Sequence, residues 1–81
     1  MKAIINIALK NGVLDDQGKA THNALDSLGF SKFVKDVRVG KQIILELNLS
    51  CKDDANSEAE KMCEKLLANT VIEDYKIQIV E

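Results

Sequence analysis

The chain has no proline and no tryptophan, and only three aromatic residues, Phe30, Phe33 and Tyr75. Its core must therefore be mainly aliphatic, and no turn is stiffened by a fixed φ. A single histidine, His22, excludes any argument from spacing for a Ser-His-Asp or Cys-His set. It lies between Thr21 and Asn23 in a helical stretch, off the apolar stripe, and reads as a solvated side chain without a role. Two cysteines make no disulfide framework and fit no zinc spacing. Cys63 falls on an apolar helical stripe as a packing residue, and Cys51 lacks the electropositive setting a thiolate needs. No glycine-rich phosphate loop is present.

An excess of positive charge is missing as well. Eleven Lys and Arg against 13 Asp and Glu leave a net charge of −2, which argues against a nucleic-acid or anionic-membrane surface. No apolar run approaches the roughly 20 residues that span a bilayer. The opening MKAIINIALK alternates like a strand rather than reading as a signal peptide, so a cytoplasmic location is expected.

What is there fits one domain, residues 1–81. A chain this short buries only about 60% of its unfolded surface, and self-association is a common remedy. Residues 2–10 segregate with period two, placing Ala3, Ile5, Ile7 and Leu9 on one face. Asp15 is a good N-cap, and Asp16 sits where the helix dipole favours negative charge. Ala20, Ala24, Leu25 and Leu28 form the expected buried stripe of the first helix, and Gly29 supplies its left-handed stop. Gly18 in the first turn costs about 1 kcal/mol against alanine, which fits a close backbone approach or a tolerated junction. A second strand is expected at 34–39, a tight turn at Gly40-Lys41, and a third strand at 42–49. Asp53 or Asp54 would cap a second helix at about 55–68, with Ala55, Ala59, Met62, Cys63 and Leu66 inward. The last strand is expected at 74–80, with Tyr75, Ile77 and Ile79 inward.

The order βαββαβ with right-handed crossovers gives a ferredoxin-like α+β sandwich, a four-stranded antiparallel sheet with both helices on one face. The other face is bare. It should present Ile4, Ala8, Ile44 and Val80 among Asn6, Arg38, Gln42, Glu46 and Gln78, a mixture suited to meeting another protein. Ile4, Asn6, Ile44 and Glu46 are accordingly the candidates for self-association, as a homodimer or a dimer of dimers. Arg38, Gly40 and Lys41 would form a basic hairpin tip able to contact an acidic partner, and Gln17 and Gly18 are further candidate contacts. The pairs Asp15-Asp16 and Asp53-Asp54 suggest a metal less well than they suggest capping. No catalytic, cofactor-binding or metal-binding residue is assigned, and the residues alone describe a non-catalytic module.

The strings LKNGVLDDQGKATHNALDSLGF, VKDVRVGK and MCEKLLANTVIEDYKIQI, in that order and spacing, closely resemble the PurS family. These are small subunits of the multi-chain phosphoribosylformylglycinamidine synthase of purine biosynthesis. The family pattern has proline where this chain has Asp16 and again where it has Thr70; both changes remove stiffness and leave the cap and the last strand intact. The resemblance implies a dimeric scaffold without catalytic residues. It would bridge a glutaminase subunit and a large synthetase subunit, assist ammonia transfer between them, and bind no cofactor while the complex uses ATP with Mg and glutamine. Two other classes share the expected sandwich. One is an ACT-like module that senses a small molecule near a loop such as NGVLDD. The other is an acylphosphatase-like enzyme, which would need an arginine in a phosphate cradle after the first strand, where this chain has none.

Overall fold

A computed structural model describes residues 1–81. The elements are β1 (Lys2–Leu9), α1 (Asp16–Ser27), β2 (Gly40–Glu46), α2 (Lys52–Met62) running into a π-helical turn (Cys63–Leu67), and β3 (Glu73–Val80). The fold is α+β. Its sheet has three antiparallel strands in the order β2-β1-β3, not the expected four. With β1 in the centre, period-two segregation builds complete rows across the sheet. Ile43, Ile5 and Ile77 form one row on the covered face, and Ile44, Ile4 and Gln78 form one on the other.

The covering layer is α2. Ala55, Ala59 and Cys63 follow one another at four-residue spacing and are all fully buried. Small side chains at these positions let the helix approach the sheet closely. Ile5, Ile7, Cys63 and Ala68 form the centre of the core, with Ile43, Leu45, Tyr75 and Ile77 packed partly buried around them. At the end of α2 the backbone widens into the π turn, which closes with Ala68 N–H on Cys63 O at 3.1 Å. The expected second helix thus exists but starts earlier. Its N-cap is Cys51, with no side-chain capping bond, while Asp53 and Asp54 stand in the first turn.

The expected strand at 34–39 is absent, because its backbone groups are satisfied elsewhere. Phe33 and Val34 donate to Phe30 O, Val37 N–H to the Asp36 carboxylate, and Val39 N–H to Asp15 Oδ2. The Gly40-Lys41 turn is absent for the same reason. Both residues belong to β2, paired with Ala8 and Ile7, and a Cβ at Gly40 would stand 2.6 Å from Ile7 O.

The larger departure concerns α1. Its start and stop are as expected: Asp15 accepts from Gly18 N–H at 2.9 Å, and Gly29 adopts φ 97°. Phe30 N–H on Leu25 O and Gly29 N–H on Asp26 O complete a Schellman stop. Yet α1 does not lie on the sheet. Ala20 and Ala24 are exposed, Leu25 is only half-buried, and Leu28 is 72% exposed. Helix α1 and the return segment 30–39, which opens with a turn at 31–33, form an arm that projects from the sheet. The molecule measures 48 × 26 × 14 Å, with a radius of gyration of 16.1 Å. A compact chain of this length would have a radius of about 12 Å. Eight of the 81 residues are fully buried, and eleven large apolar side chains are exposed in the single chain.

Candidate partner interface

The arm is fastened at its neck by two side chains that cross. Asp15, where the chain enters the arm, accepts from Val39 N–H at 2.8 Å as well as from Gly18 N–H. Arg38, where the chain leaves it, donates to Leu9 O at 2.6 Å and reaches Lys10 O at 3.5 Å. Each limb therefore grips the backbone of the other. The Val39 and Gly18 N–H groups, aided by the nearby Arg38 guanidinium, hold the Asp15 carboxyl below its usual value. Gly18 is buried at this neck, where a Cβ would lie 2.5 Å from both Val37 O and Asp15 Oδ2. Of the two sequence readings of Gly18, close approach is the correct one. Higher in the arm, His22 Nε2 stands 3.3 Å from Val34 O and Nδ1 stands 3.6 Å from Asp26 Oδ2. Half-buried His22 thus ties α1 to the return segment rather than sitting idle in solvent.

The five residues expected to form a basic tip are distributed differently. Gln17, Gly40 and Lys41 line one cleft of about 330 Å³, with Asp15, Asp16 and Glu73 in the same wall. Arg38 lines a neighbouring cleft of about 260 Å³ and spends its guanidinium on the neck, while Gly18 is sealed inside. No hairpin tip exists, and Lys41 pairs with Glu73 across β1 at 3.6 Å.

A larger cleft of about 890 Å³ opens at the β1–β3 end of the sheet, among Lys41, Glu64, Thr70, Glu73 and Tyr75. Here Tyr75 donates to Glu64 Oε1 at 2.9 Å. Because the carboxylate accepts from the neutral phenol and repels a phenolate, the Tyr75 pKa is pushed up to about 12. Burial, reinforced by Glu64 and Glu60, raises the Cys63 thiol as well. Neither group is thereby made a nucleophile, and no three His, Cys, Asp or Glu side chains gather as a metal would require.

The uncovered sheet face carries the four self-association candidates. Ile4 and Ile44 are opposite each other in the ladder; Asn6 Oδ1 accepts from Gln42 Nε2 at 2.9 Å, and Glu46 pairs with Lys2 at 3.6 Å. The sequence reading missed two further apolar patches. Leu14, Phe30 and Phe33 are exposed on the arm, Phe33 at 82%, and Leu66 and Val71 are each 82% exposed beyond α2. The available signal was the placement of Phe30 and Phe33 in a connecting segment, outside any helical or strand period. Leu66 offered no such signal, because its spacing from Met62 imitates a buried stripe. A polar, mixed-charge cleft flanked by apolar patches can bind protein surfaces.

Comparison with known proteins bears on which surfaces those are. Residues 2–81 match the family model PurS, described as phosphoribosylformylglycinamidine (FGAM) synthase. The chain is 45% identical over 80 residues to the phosphoribosylformylglycinamidine synthase subunit PurS of Bacillus subtilis, covering 99% of this chain and 93% of that one. It superposes on a crystal structure of B. subtilis PurS with a TM-score of 0.86 at 45% identity, covering 99% and 98% of the two chains. On a chain of the PurLQS structure from Thermotoga maritima the TM-score is 0.87 at 32% identity, covering 98% and 95%.

Proposed function

Because the chain belongs to the PurS family of FGAM synthase subunits, we propose that it is the non-catalytic small subunit of that enzyme in purine biosynthesis, acting as a self-associating bridge. In this reading it joins a glutaminase subunit to a large ATP-using synthetase subunit and assists the passage of ammonia between them. The T. maritima structure named PurLQS supports placing it in a complex of this kind. ATP, Mg and glutamine are handled by the other subunits, and this chain binds none of them.

The observation that carries the bridging role is the amount of apolar surface left without cover on opposite sides of a thin molecule. Phe33 and Leu28 stand on the arm, Leu66 and Val71 stand beyond α2, and Ile44 stands on the open sheet face. A chain that meets partners on several sides needs such surfaces, and a self-contained enzyme does not. Gln17, Gly40 and Lys41 share a cleft at the base of the arm and form one partner contact, with Arg38 and Gly18 holding its backbone in place.

Reconstitution tests this function. Purified alone, the chain should hydrolyse neither ATP nor glutamine. Added to the glutaminase and synthetase subunits, it should be required for amidation driven by glutamine and much less for amidation driven by ammonium. Equal use of glutamine with the chain left out would refute the bridge.

A further inference from the structure

On the face of the sheet that α2 covers, the row Lys41, Ile7, Tyr75 runs across β2, β1 and β3, and Glu73 stands two residues before Tyr75 on the same face. Because α1 projects away instead of lying on the sheet, this row is left in the open cleft of about 890 Å³. Lys41 and Tyr75 flank Ile7 one strand to either side, which sets their Cα atoms about 10 Å apart. The π turn shapes the wall on the Tyr75 side. It passes burial from Cys63 to Ala68, five residues on, and leaves Glu64 beside the buried stripe, within reach of Tyr75. The two carboxylates on this face differ in what answers them. The Glu73 side chain is 15% exposed and is satisfied at both oxygens, Oε1 by Asn69 N–H at 2.7 Å and Oε2 by Lys41 at 3.6 Å. Glu64 accepts only from the neutral Tyr75 phenol, on Oε1. No lysine or arginine pairs with it, or with Glu60 one turn earlier. The Tyr75 phenol, raised first by its bond to Glu64, and the Cys63 thiol, raised first by burial, are both raised further by the negative field of Glu64 and Glu60. One wall of the cleft thus holds an unanswered carboxylate oxygen, an aromatic ring and the Thr70 hydroxyl, with exposed Val71 next to it.

We propose that this wall receives an arginine side chain from a partner subunit, its guanidinium donating to Glu64 Oε2 and the Thr70 hydroxyl and stacking on the Tyr75 ring. Arginine fits better than lysine, because its planar fork donates in two directions at once, is weakly hydrated and stacks on aromatic faces. It is also among the residues that most often anchor a protein interface. The occupant is not a second copy of this chain. Arg38 is the only arginine in the sequence, and it is committed to Leu9 O and Lys10 O at the neck. Lys41 does not repel the incoming charge from the same wall, since it stands across Ile7 and is held by Glu73. The inference rests on the bridging reading above and adds to it a surface, an anchor and the chemistry of the group that docks there.

Calorimetric binding of the full-length chain to the glutaminase and synthetase subunits tests the anchor. Glu64→Gln keeps an acceptor for Tyr75 and removes the charge. It should weaken assembly by about 10-fold or more, as the loss of a charged hydrogen bond does. Glu58→Gln makes the same change elsewhere on α2, where Lys61 answers the carboxylate at 3.3 Å, and should leave the affinity within about twofold. As free competitors, N-acetyl-L-arginine amide should inhibit assembly more than N-acetyl-L-lysine amide at equal ionic strength. Equal affinity of Glu64→Gln and the unaltered chain would overturn the proposal, and so would equal inhibition by the two amides. Should Glu64→Gln melt well below the unaltered chain by circular dichroism, the pair of competitors decides alone. An unaltered chain that binds neither subunit overturns the bridging reading together with the anchor. One that binds and is indifferent to Glu64→Gln overturns the anchor only.

Discussion

Replacing Leu28 by alanine separates the projecting arm from the packed sandwich that helical spacing suggests. Had Leu28 closed α1 onto the sheet, its truncation would cost about 2–5 kcal/mol. In the structure it is 72% exposed, so only roughly a quarter of its surface is removed from solvent. Full burial of a leucine contributes about 1.5–3 kcal/mol, and a quarter of that is about 0.4–0.8 kcal/mol. Ile5→Ala supplies the scale, because Ile5 is fully buried between Ile43 and Ile77 under the α2 stripe and should cost about 2–5 kcal/mol. For a domain of this size about 1 kcal/mol moves the melting temperature by about 4–8 °C. Leu28→Ala should then lower it by a few degrees and Ile5→Ala by ten or more. Association adds a second signature. If the arm is covered in an oligomer, the Leu28→Ala deficit grows with protein concentration, whereas the Ile5→Ala deficit is present at every dilution. Denaturant titrations at two concentrations differing a hundredfold distinguish them. A Leu28→Ala loss as large as that of Ile5→Ala, and independent of concentration, would mean that α1 lies on the sheet.

Gly18→Ala should destabilise by about 1–3 kcal/mol in thermal melts, the cost of forcing a methyl group into a packed site. Helix propensity alone predicts a gain of about 1 kcal/mol, so the sign of the change decides between them. Tyr75 is the only tyrosine, which lets its titration be followed by ultraviolet absorbance without interference. Its folded value near 12 lies above the usual value of about 10. The neutral phenol therefore supports the fold fully below pH about 10, and that support is lost as pH rises through 12. Glu64→Gln should bring the midpoint down towards the ordinary tyrosine range, and an unchanged midpoint would show that the Glu64 contact is not its cause.

Period-two alternation placed β1 and β3 almost to the residue, since each strand has one dry face and one wet face and no competing partner for its backbone. The Asp15 cap and the Gly29 stop were equally legible, because both are decided within a few residues of the chain. The segment 34–39 was not. Its valines at 37 and 39 satisfy a strand pattern, but a carboxylate 24 residues earlier takes the Val39 N–H, and nothing local to 34–39 announces that bond. The α1 stripe failed for a related reason. Apolar residues at helical spacing state that a face will be buried; they do not state against which surface. The same limit applies to the site. A bare sheet face could be inferred from counting layers, whereas the cleft joining Gln17 to Lys41 depends on how the neck of the arm closes.

That neck has a consequence for how such a chain can change over generations. Asp15 and Arg38 seal the arm to the sheet chiefly through main-chain N–H and C=O groups, which every residue except proline supplies in full. The fastening is therefore indifferent to side chains at Leu9, Lys10 and Val39. It is equally indifferent to what lies between Lys19 and Val34 beyond the closure. Substitutions at the far end of the arm can alter which surface it fits without passing strain into the rows of β1, β2 and β3. The far surface of the arm and the rows of the sheet are thus written in separate stretches of the sequence, so the former can change while the latter hold, so long as one aspartate, one arginine and the glycine between them stay in place.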